Sequence, residues 1–322
     1  MRILVVDDDR SLRDALRRAL TLADHEVEVW PDRLPPPRDR LIEGARSAQG
    51  LLCMLTDQVD AEMIAACPDL RAISNYAVGV DNVDVGAATA RGIPVGNTPG
   101  VLTEATADLT LALMLALLRR LPEGEAAVRA GEWLTWEPAF LLGRDLHGAS
   151  VLLLGGGRIG QAVARRLHGF GARTVVAGRG DPLPTLLAEA DVVSLHCPLT
   201  DETRGLIGAA ELEATKPTAV IVNTARGEIV DTLALEGALR AGEIAGAALD
   251  VTDPEPLPPG HSLLSAPGVL VVPHVGSATH AARESMADLC VDNLLAALGN
   301  GRMPHSVNPE AGGGPGEPAT GP

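Results

Sequence analysis

Apolar residues along this chain fall into short runs separated by polar turns, and the clearest unit spans Val151 to Phe170. Val151 to Leu154 is an unbroken apolar run, the mark of a parallel strand buried on both faces. Just beyond it, Ile159, Val163 and Leu167 recur four apart and predict one face of a helix. Between strand and helix, Gly155, Gly157 and Gly160 stand in G-x-G-x-x-G spacing. Gly155 suits a tight turn, Gly157 lets a pyrophosphate approach the backbone, and Gly160 lets the helix pack closely on the strand. The helix start adds free N–H groups and the positive end of its dipole. In a chain with 35 glycines the bare spacing carries little weight. The strand before it and the helix after it make it a dinucleotide site.

The same patterning predicts strands at Ile3–Val6, Val27–Trp30, Leu51–Leu55 and Ala72–Ser74. Ser11 is placed to cap a helix carrying Leu12, Ala15, Leu16, Ala19 and Leu20 on one face. A turn follows at Val78-Gly79, then a helix near Val83 to Ala90 and a short strand at Pro94-Val95. The stretch NTPGVLTEATADLTLALMLALLRRL predicts one long helix, with Thr103 as its cap and Thr106 in its first turn. Being apolar nearly all round, that helix belongs between domains or subunits. Further strands are expected at Thr174–Ala177, Val192–His196, Ala219–Asn223, Ala245–Asp250 and Val269–Val272, and a final helix at Ala278–Leu298. The alternation reads as α/β and opens on a small doubly wound unit. Residues 309–322 lack an apolar anchor and read as a disordered tail.

Composition narrows the function classes. A chain of 322 residues suits two domains, and a net charge of −16 disfavours nucleic acid and anionic membrane as partners. The longest apolar run, Leu109 to Leu118, is too short to span a bilayer. The start MRILVVDDDR has acids where a signal peptide needs a basic end, so the cytoplasm is the expected compartment. Cys53, Cys67, Cys197 and Cys290 form no C-x-x-C, and neither a metal site nor a disulfide framework is expected.

Candidate chemistry stands at the ends of the later strands, where ligands bind in open α/β sheets. NTARGEIVD brings Arg226, LDVTDPEPL brings Glu255, and VVPHVGSATH brings His274. Arginine, glutamate and histidine together are able to hold a carboxylate, orient an imidazole and donate a proton. That division of labour suits reduction of a 2-oxo acid beside a nicotinamide. At the end of the second nucleotide strand the sequence is VVAGRG, with no acid at Gly178 for ribose hydroxyls. Arg179 suits a 2′-phosphate, with a solvated surface charge as the alternative. The expectation is NADPH over NADH, with NADH left open.

These motifs carry a resemblance. NYAVGVDN, NTPGVLTEATADL, GEWLTWEP, GGGRIGQAVARRL, HCPLT, NTARGEIVD, ALDVTDPEPLP and PHVGSAT, together covering roughly Cys53 to Val307, resemble the D-isomer specific 2-hydroxyacid dehydrogenases. The glyoxylate/hydroxypyruvate reductase branch is the most similar. The resemblance implies two doubly wound Rossmann-like domains, a flavodoxin-like substrate domain at 1–100 with 280–308 and a nucleotide domain at 101–279, with the cofactor in the cleft between them and a homodimer built around the long helix. It makes His274 the general acid in reduction, Glu255 the residue that holds its ring, and Arg226 the ligand of the substrate carboxylate. Val78 and Gly79 would cradle the carboxylate's other side through their N–H groups, with Leu55 nearby. Trp136 matches an aromatic that enters the partner subunit's site, although Trp133 and Trp136 equally suit packing between subunits. Thr106, Gly155, Gly157, Arg158, Ile159, Gly160, Arg179, Cys197, Pro198, Thr203, Thr224, Ala225, Asp250 and Gly276 are implied at the cofactor.

Two departures stand out. Only GRGDPLPTLLAEA joins Arg179 to Asp191, too short for the helix and edge strand usual there, so the sheet is expected to lack that strand. The first residues, to Val29, resemble a response-regulator receiver, with Asp7 and Asp8 in place of its acidic pair. Asp57 and Lys216 fit that scheme poorly, so the segment reads as a structural replacement without phosphotransfer. The expected reaction is reduction of glyoxylate or hydroxypyruvate to glycolate or D-glycerate. The alternatives are a dehydrogenase of a bulkier 2-hydroxy acid and a non-catalytic dinucleotide-sensing protein. Formate oxidation is disfavoured, because a hydride-only transfer has no use for Glu255 paired with His274.

Overall fold

The computed structural model describes residues 1–5, 20–21, 25–32 and 34–312. The expectations for Val6, for Asp7 and Asp8, for the Ser11 cap with most of its helix, and for residues 313–322 lie outside the described residues. The chain divides into two compact units, Met1–Leu102 with Thr279–Pro322, and Thr103–Ala278.

The first unit holds a parallel sheet of five strands: β1 (Arg2–Val5), β2 (Glu26–Val29), β3 (Gly50–Cys53), β4 (Ala72–Asn75) and β5 (Val95–Gly96). Their spatial order is β2-β1-β3-β4-β5. Every residue of β3 and β4 is buried, as two-sided cover demands, whereas β2 at the edge is partly exposed. Leu51, Met63, Ile64 and Ile73 fill the core on one side. The helix Ala61–Ala66 is capped by the Asp60 carboxylate on Met63 N, and Val85–Ala90 by Asp84 on Ala87 N. The last long helix runs from His280 to Leu298, two residues shorter at its start than its apolar pattern suggests. Thr279 Oγ1 takes the Ala282 N–H and caps it there.

Residues 309–312 correct the expectation of disorder, forming a 3-10 turn. The anchor is polar, which an apolar count overlooks. Asn308 Oδ1 accepts from Val95 N at 2.7 Å, and its Nδ2 donates to Ile93 O at 3.0 Å and to Thr89 Oγ1 at 2.8 Å.

The second unit holds β6 (Ser150–Leu154), β7 (Arg173–Ala177), β8 (Val192–Leu195), β9 (Val220–Asn223), β10 (Gly246–Leu249) and β11 (Val269–Val271). The order is β11-β10-β9-β8-β6-β7, all parallel. Between β7 and β8 lies one helix, Leu183–Glu189, and among the described residues no strand pairs with the outer edge of β7. Val175 and Val176 are accordingly exposed on that edge.

The predicted long helix is present, and a second, shorter helix follows it. Thr103–Leu118 ends at a turn where Arg120 adopts φ 52°, and Leu121–Ala130 continues beyond it. The break is local in origin, because Pro122 has no N–H to give to Leu118 O and its ring excludes a continuous helix there. Arg144 N donates to Leu118 O at 2.8 Å, and a Cβ on Gly143 would lie 2.3 Å from that same carbonyl. No described helix is long and apolar enough to cross a membrane.

Candidate active site

The loop after β6 is built around its glycines. Gly155 has φ 112°, a conformation that side chains disfavour, and a Cβ there would lie 2.6 Å from Cys197 N. A Cβ on Gly160 would lie 2.1 Å from Gly155 O, so the helix Arg158–Gly169 sits against the strand as only glycine permits. A Cβ on Gly157 would meet nothing within 4 Å. That open backbone at a helix start, where the first N–H groups have no intrahelical acceptor, fits a pyrophosphate. Arg158 is exposed and Ile159 half-buried at this start.

Beside the loop lies a cavity of about 280 Å³ lined by Gly155, Ala177, Arg179, Asp181, Leu183 and Thr203 among others. Its dimensions and its mixed apolar and charged walls suit an adenosine moiety. Position 178 is glycine, and the carboxylate beside it belongs to Asp181, whose Oδ2 accepts the Gly178 N–H at 2.8 Å. Arg179 is highly exposed, and its Nη2 lies 3.6 Å from Glu202 Oε2. Thr203 Oγ1 donates to Pro198 O at 2.6 Å and accepts from Thr200 N at 2.8 Å, closing the turn that follows Cys197. The groups present therefore fit a nicotinamide dinucleotide.

Arg226, Glu255 and His274 follow β9, β10 and β11, adjacent strands of one parallel sheet. His274 Nδ1 lies 2.6 Å from Glu255 Oε1. Glu255 Oε2 accepts from Thr252 N at 3.3 Å, so the carboxylate is held at both oxygens. Burial pushes the Glu255 carboxyl up, but the His274 hydrogen bond and charge, the Thr252 N–H and the Arg226 charge outweigh it. The group ends below its ordinary range. With Nδ1 engaged, the His274 ring leaves Nε2 with no protein partner among the described residues. Arg226 is half-buried, and its Nη1 donates to Ala225 O at 2.8 Å.

Two residues not singled out from sequence complete this arrangement. A Cβ on Gly227 would lie 2.0 Å from Thr252 O, so the Arg226 turn meets the segment carrying Glu255 at backbone distance. Asn223 Nδ2 donates to Arg226 O at 2.7 Å, and its Oδ1 accepts from Ala225 N at 3.0 Å. NTARGEIVD contains both, but spacing alone does not separate them from their neighbours.

His274 takes φ 51°, unusual for a residue with a side chain. Asp250 braces it: its backbone O accepts from His274 N at 2.8 Å, and its carboxylate accepts from Val275 N at 2.6 Å and Gly276 N at 2.8 Å. Burial raises the Asp250 carboxyl above its ordinary value despite those bonds. Thr106 Oγ1 donates to Gly276 O at 3.2 Å, and the Thr110 and Thr224 hydroxyls meet at 3.0 Å. Thr106 and Asp250 thus hold the segment that follows His274, and Thr106, Asp250, Gly276 and Thr224 are all buried. His196, at the end of β8, is neutral near pH 7, because burial lowers it to about 4, and Ser194 Oγ bonds its Nε2 at 2.9 Å.

Val78 and Gly79 stand in the turn after β4, in the other unit, and Leu55 is half-buried after β3. Asp57 in the same turn is buried, and its carboxylate accepts from Met54 N at 2.8 Å. Trp136 is 80% exposed and shares an exposed apolar segment with Trp133, Leu134, Phe140 and Leu142. No cluster of described His, Cys, Asp or Glu residues has the arrangement to hold a metal ion.

The family model for the NAD binding domain of D-isomer specific 2-hydroxyacid dehydrogenases matches residues 111–276. A glyoxylate reductase of Thermococcus gammatolerans is 48% identical over 304 residues, 89% of this chain and 90% of that protein. One from Korarchaeum cryptofilum is 46% identical over 299 residues, 88% of this chain and 90% of the relative. A crystal structure of a Thermus thermophilus protein superposes with a TM-score of 0.88 at 49% identity, covering 95% of this chain and 100% of its own. The NADPH-dependent glyoxylate/hydroxypyruvate reductase of Sinorhizobium meliloti, solved with NADP and malonate, gives 0.82 at 36% identity, covering 96% of this chain and 97% of its own. The chain belongs to the D-isomer specific 2-hydroxyacid dehydrogenase family and is an NAD(P)-dependent dehydrogenase.

Proposed function

We propose that this enzyme reduces a small 2-oxo acid, glyoxylate or hydroxypyruvate, to the 2-hydroxy acid with NADPH as the preferred cofactor. The observation that carries the reading is the 2.6 Å contact between His274 Nδ1 and Glu255 Oε1. An imidazole oriented by a carboxylate is a general acid with a fixed direction. In this reading His274 Nε2 gives its proton to the oxo oxygen as that oxygen becomes a hydroxyl. Arg226 binds the carboxylate and polarises the oxo group, with the Val78 and Gly79 N–H groups as further carboxylate donors. Glu255 keeps its charge and holds the imidazole ring in the orientation from which it donates. In the reverse direction the same nitrogen acts as base.

The backbone around Gly155, Gly157 and Gly160 would hold the cofactor's phosphates, and Arg179 a 2′-phosphate. Bound there, the cofactor supplies the hydride. Cys197, Pro198, Thr203, Thr224 and Ala225 line its path in this reading, with Thr106, Asp250 and Gly276 behind the nicotinamide end. The names of the relatives support the choice of small substrates. The exposed segment around Trp133 and Trp136 supports a homodimer in which Trp136 serves the partner's site. The absence of a spanning helix among the described residues is compatible with a cytoplasmic enzyme. The test is cofactor oxidation with glyoxylate, hydroxypyruvate, pyruvate and phenylpyruvate, each with NADPH and NADH. Fastest turnover of the two small acids with NADPH is expected. A preference for phenylpyruvate or for NADH overturns the corresponding part of the reading.

A further inference from the structure

The turn after β4 is held from below, one carbonyl at a time. Ala77 O accepts from Thr98 N at 2.9 Å, Val78 O from Asn97 Nδ2 at 2.7 Å, and Gly79 O from Asn75 Nδ2 at 2.9 Å. In a trans peptide plane the C=O and the following N–H point in opposite directions. The Ala77 carbonyl therefore fixes the Val78 N–H, and the Val78 carbonyl fixes the Gly79 N–H. Neither N–H has an acceptor among the described residues. Successive unpaired N–H groups held in this way form a small anion-binding concavity.

The supports are themselves fixed. Asn97 N donates to His305 O at 3.1 Å, and Asn97 O accepts from Asn293 Nδ2 at 3.1 Å. Asn75 is fully buried and exchanges amide hydrogen bonds with buried Asn82, at 3.0 and 3.2 Å. Asn82 Nδ2 also reaches Met54 O at 2.9 Å and Asp57 O at 3.0 Å, tying the turn after β3 to the same network.

We propose that Asn97 is a positioning residue for carboxylate substrates: through Val78 O it orients the Gly79 N–H toward the anion, with Asn75 and Asn82 bracing the turn. The proposal rests on the reading of Val78 and Gly79 as carboxylate donors. It makes Asn97 a determinant of substrate affinity and leaves the proton-transfer step to the other unit. A charged-group hydrogen bond left unaligned weakens binding about tenfold or more.

The experiment compares wild type, Asn97→Ala and Asn97→Asp with glyoxylate, and measures oxalate binding, as a carboxylate that cannot be reduced, with cofactor present. Asn97→Asp is nearly isosteric and guards against a folding failure, and thermal melts confirm that each variant is folded. KM for glyoxylate and Kd for oxalate are expected to rise about tenfold in both variants, while kcat and cofactor Kd change less than about threefold. Unchanged KM and oxalate Kd in folded variants overturn the role of Asn97, as does an equal loss of cofactor affinity. Wild type that neither turns over glyoxylate nor binds oxalate defeats instead the functional reading on which the proposal stands.

Discussion

Glu255 Oε1 lies 2.6 Å from His274 Nδ1, and the two residues follow neighbouring parallel strands. The contact fixes which imidazole nitrogen is left to exchange a proton. Replacing Glu255 by Gln keeps the shape and removes the charge. The expected result is a fall in kcat of about a hundredfold, with cofactor affinity preserved. Steady-state kinetics and a fluorescence titration of NADPH check it, and unchanged kcat would remove Glu255 from the mechanism.

The same pair has a pH signature. Glu255 is held below its ordinary range in the folded state, so its contribution to stability is present at neutral pH. That contribution is lost as pH falls through the lowered folded value. Glu255→Gln should therefore narrow the gap in melting temperature between pH 7 and acid conditions, read by thermal melts across that range.

His196 acts in the same direction at higher pH. Its value drops from 6.5 to about 4 because burial disfavours the cation, so the unfolded chain binds the extra proton first. Stability is full above about pH 6.5 and declines as pH falls toward the folded value. His196→Gln should flatten the melting temperature between those limits, and an unchanged slope would show that another group governs it.

Gly157 and Gly160 separate binding from packing. A Cβ at Gly160 lies 2.1 Å from Gly155 O, so Gly160→Ala should lower stability by about 1–3 kcal/mol as well as weaken cofactor binding. A Cβ at Gly157 touches nothing within 4 Å, so Gly157→Ala should melt like wild type yet bind NADPH at least about tenfold more weakly. Thermal melts with and without cofactor distinguish the two. Equal behaviour of both variants would deny Gly157 a place at the pyrophosphate.

Cofactor preference turns on Arg179 and Asp181. Arg179→Ala should cost NADPH at least about tenfold in kcat/KM and leave NADH nearly unchanged, because only the phosphate needs the guanidinium. Asp181→Ala should weaken NADH more than NADPH, since its carboxylate stands at Gly178, where ribose hydroxyls find an acid. The same loss with both cofactors in Arg179→Ala would reduce that residue to a surface charge.

Local pattern explains which parts of the architecture were legible. The strand at β6, the glycine spacing and the helix face at Ile159, Val163 and Leu167 are contiguous, and each signal supports the next. The short link from Arg179 to Asp191 was legible for the same reason, and β7 is an edge strand. Elements set by distant partners were not. The ordered turn at 309–312 depends on Asn308 reaching Thr89, Ile93 and Val95. At the site, Arg226, Glu255 and His274 stood out by residue type at strand ends. Asn97 did not, because its amide acts on a carbonyl of another loop, a contact that leaves no spacing to read.

The most direct test of the central claim pairs wild type with His274→Ala, measuring glyoxylate-dependent oxidation of NADPH and, separately, NADPH binding. The account predicts that wild type turns over, and that the variant loses at least about a hundredfold in kcat while binding NADPH with unchanged affinity. A variant that still turns over at the wild-type rate, or one that has lost its cofactor affinity along with its activity, would contradict it.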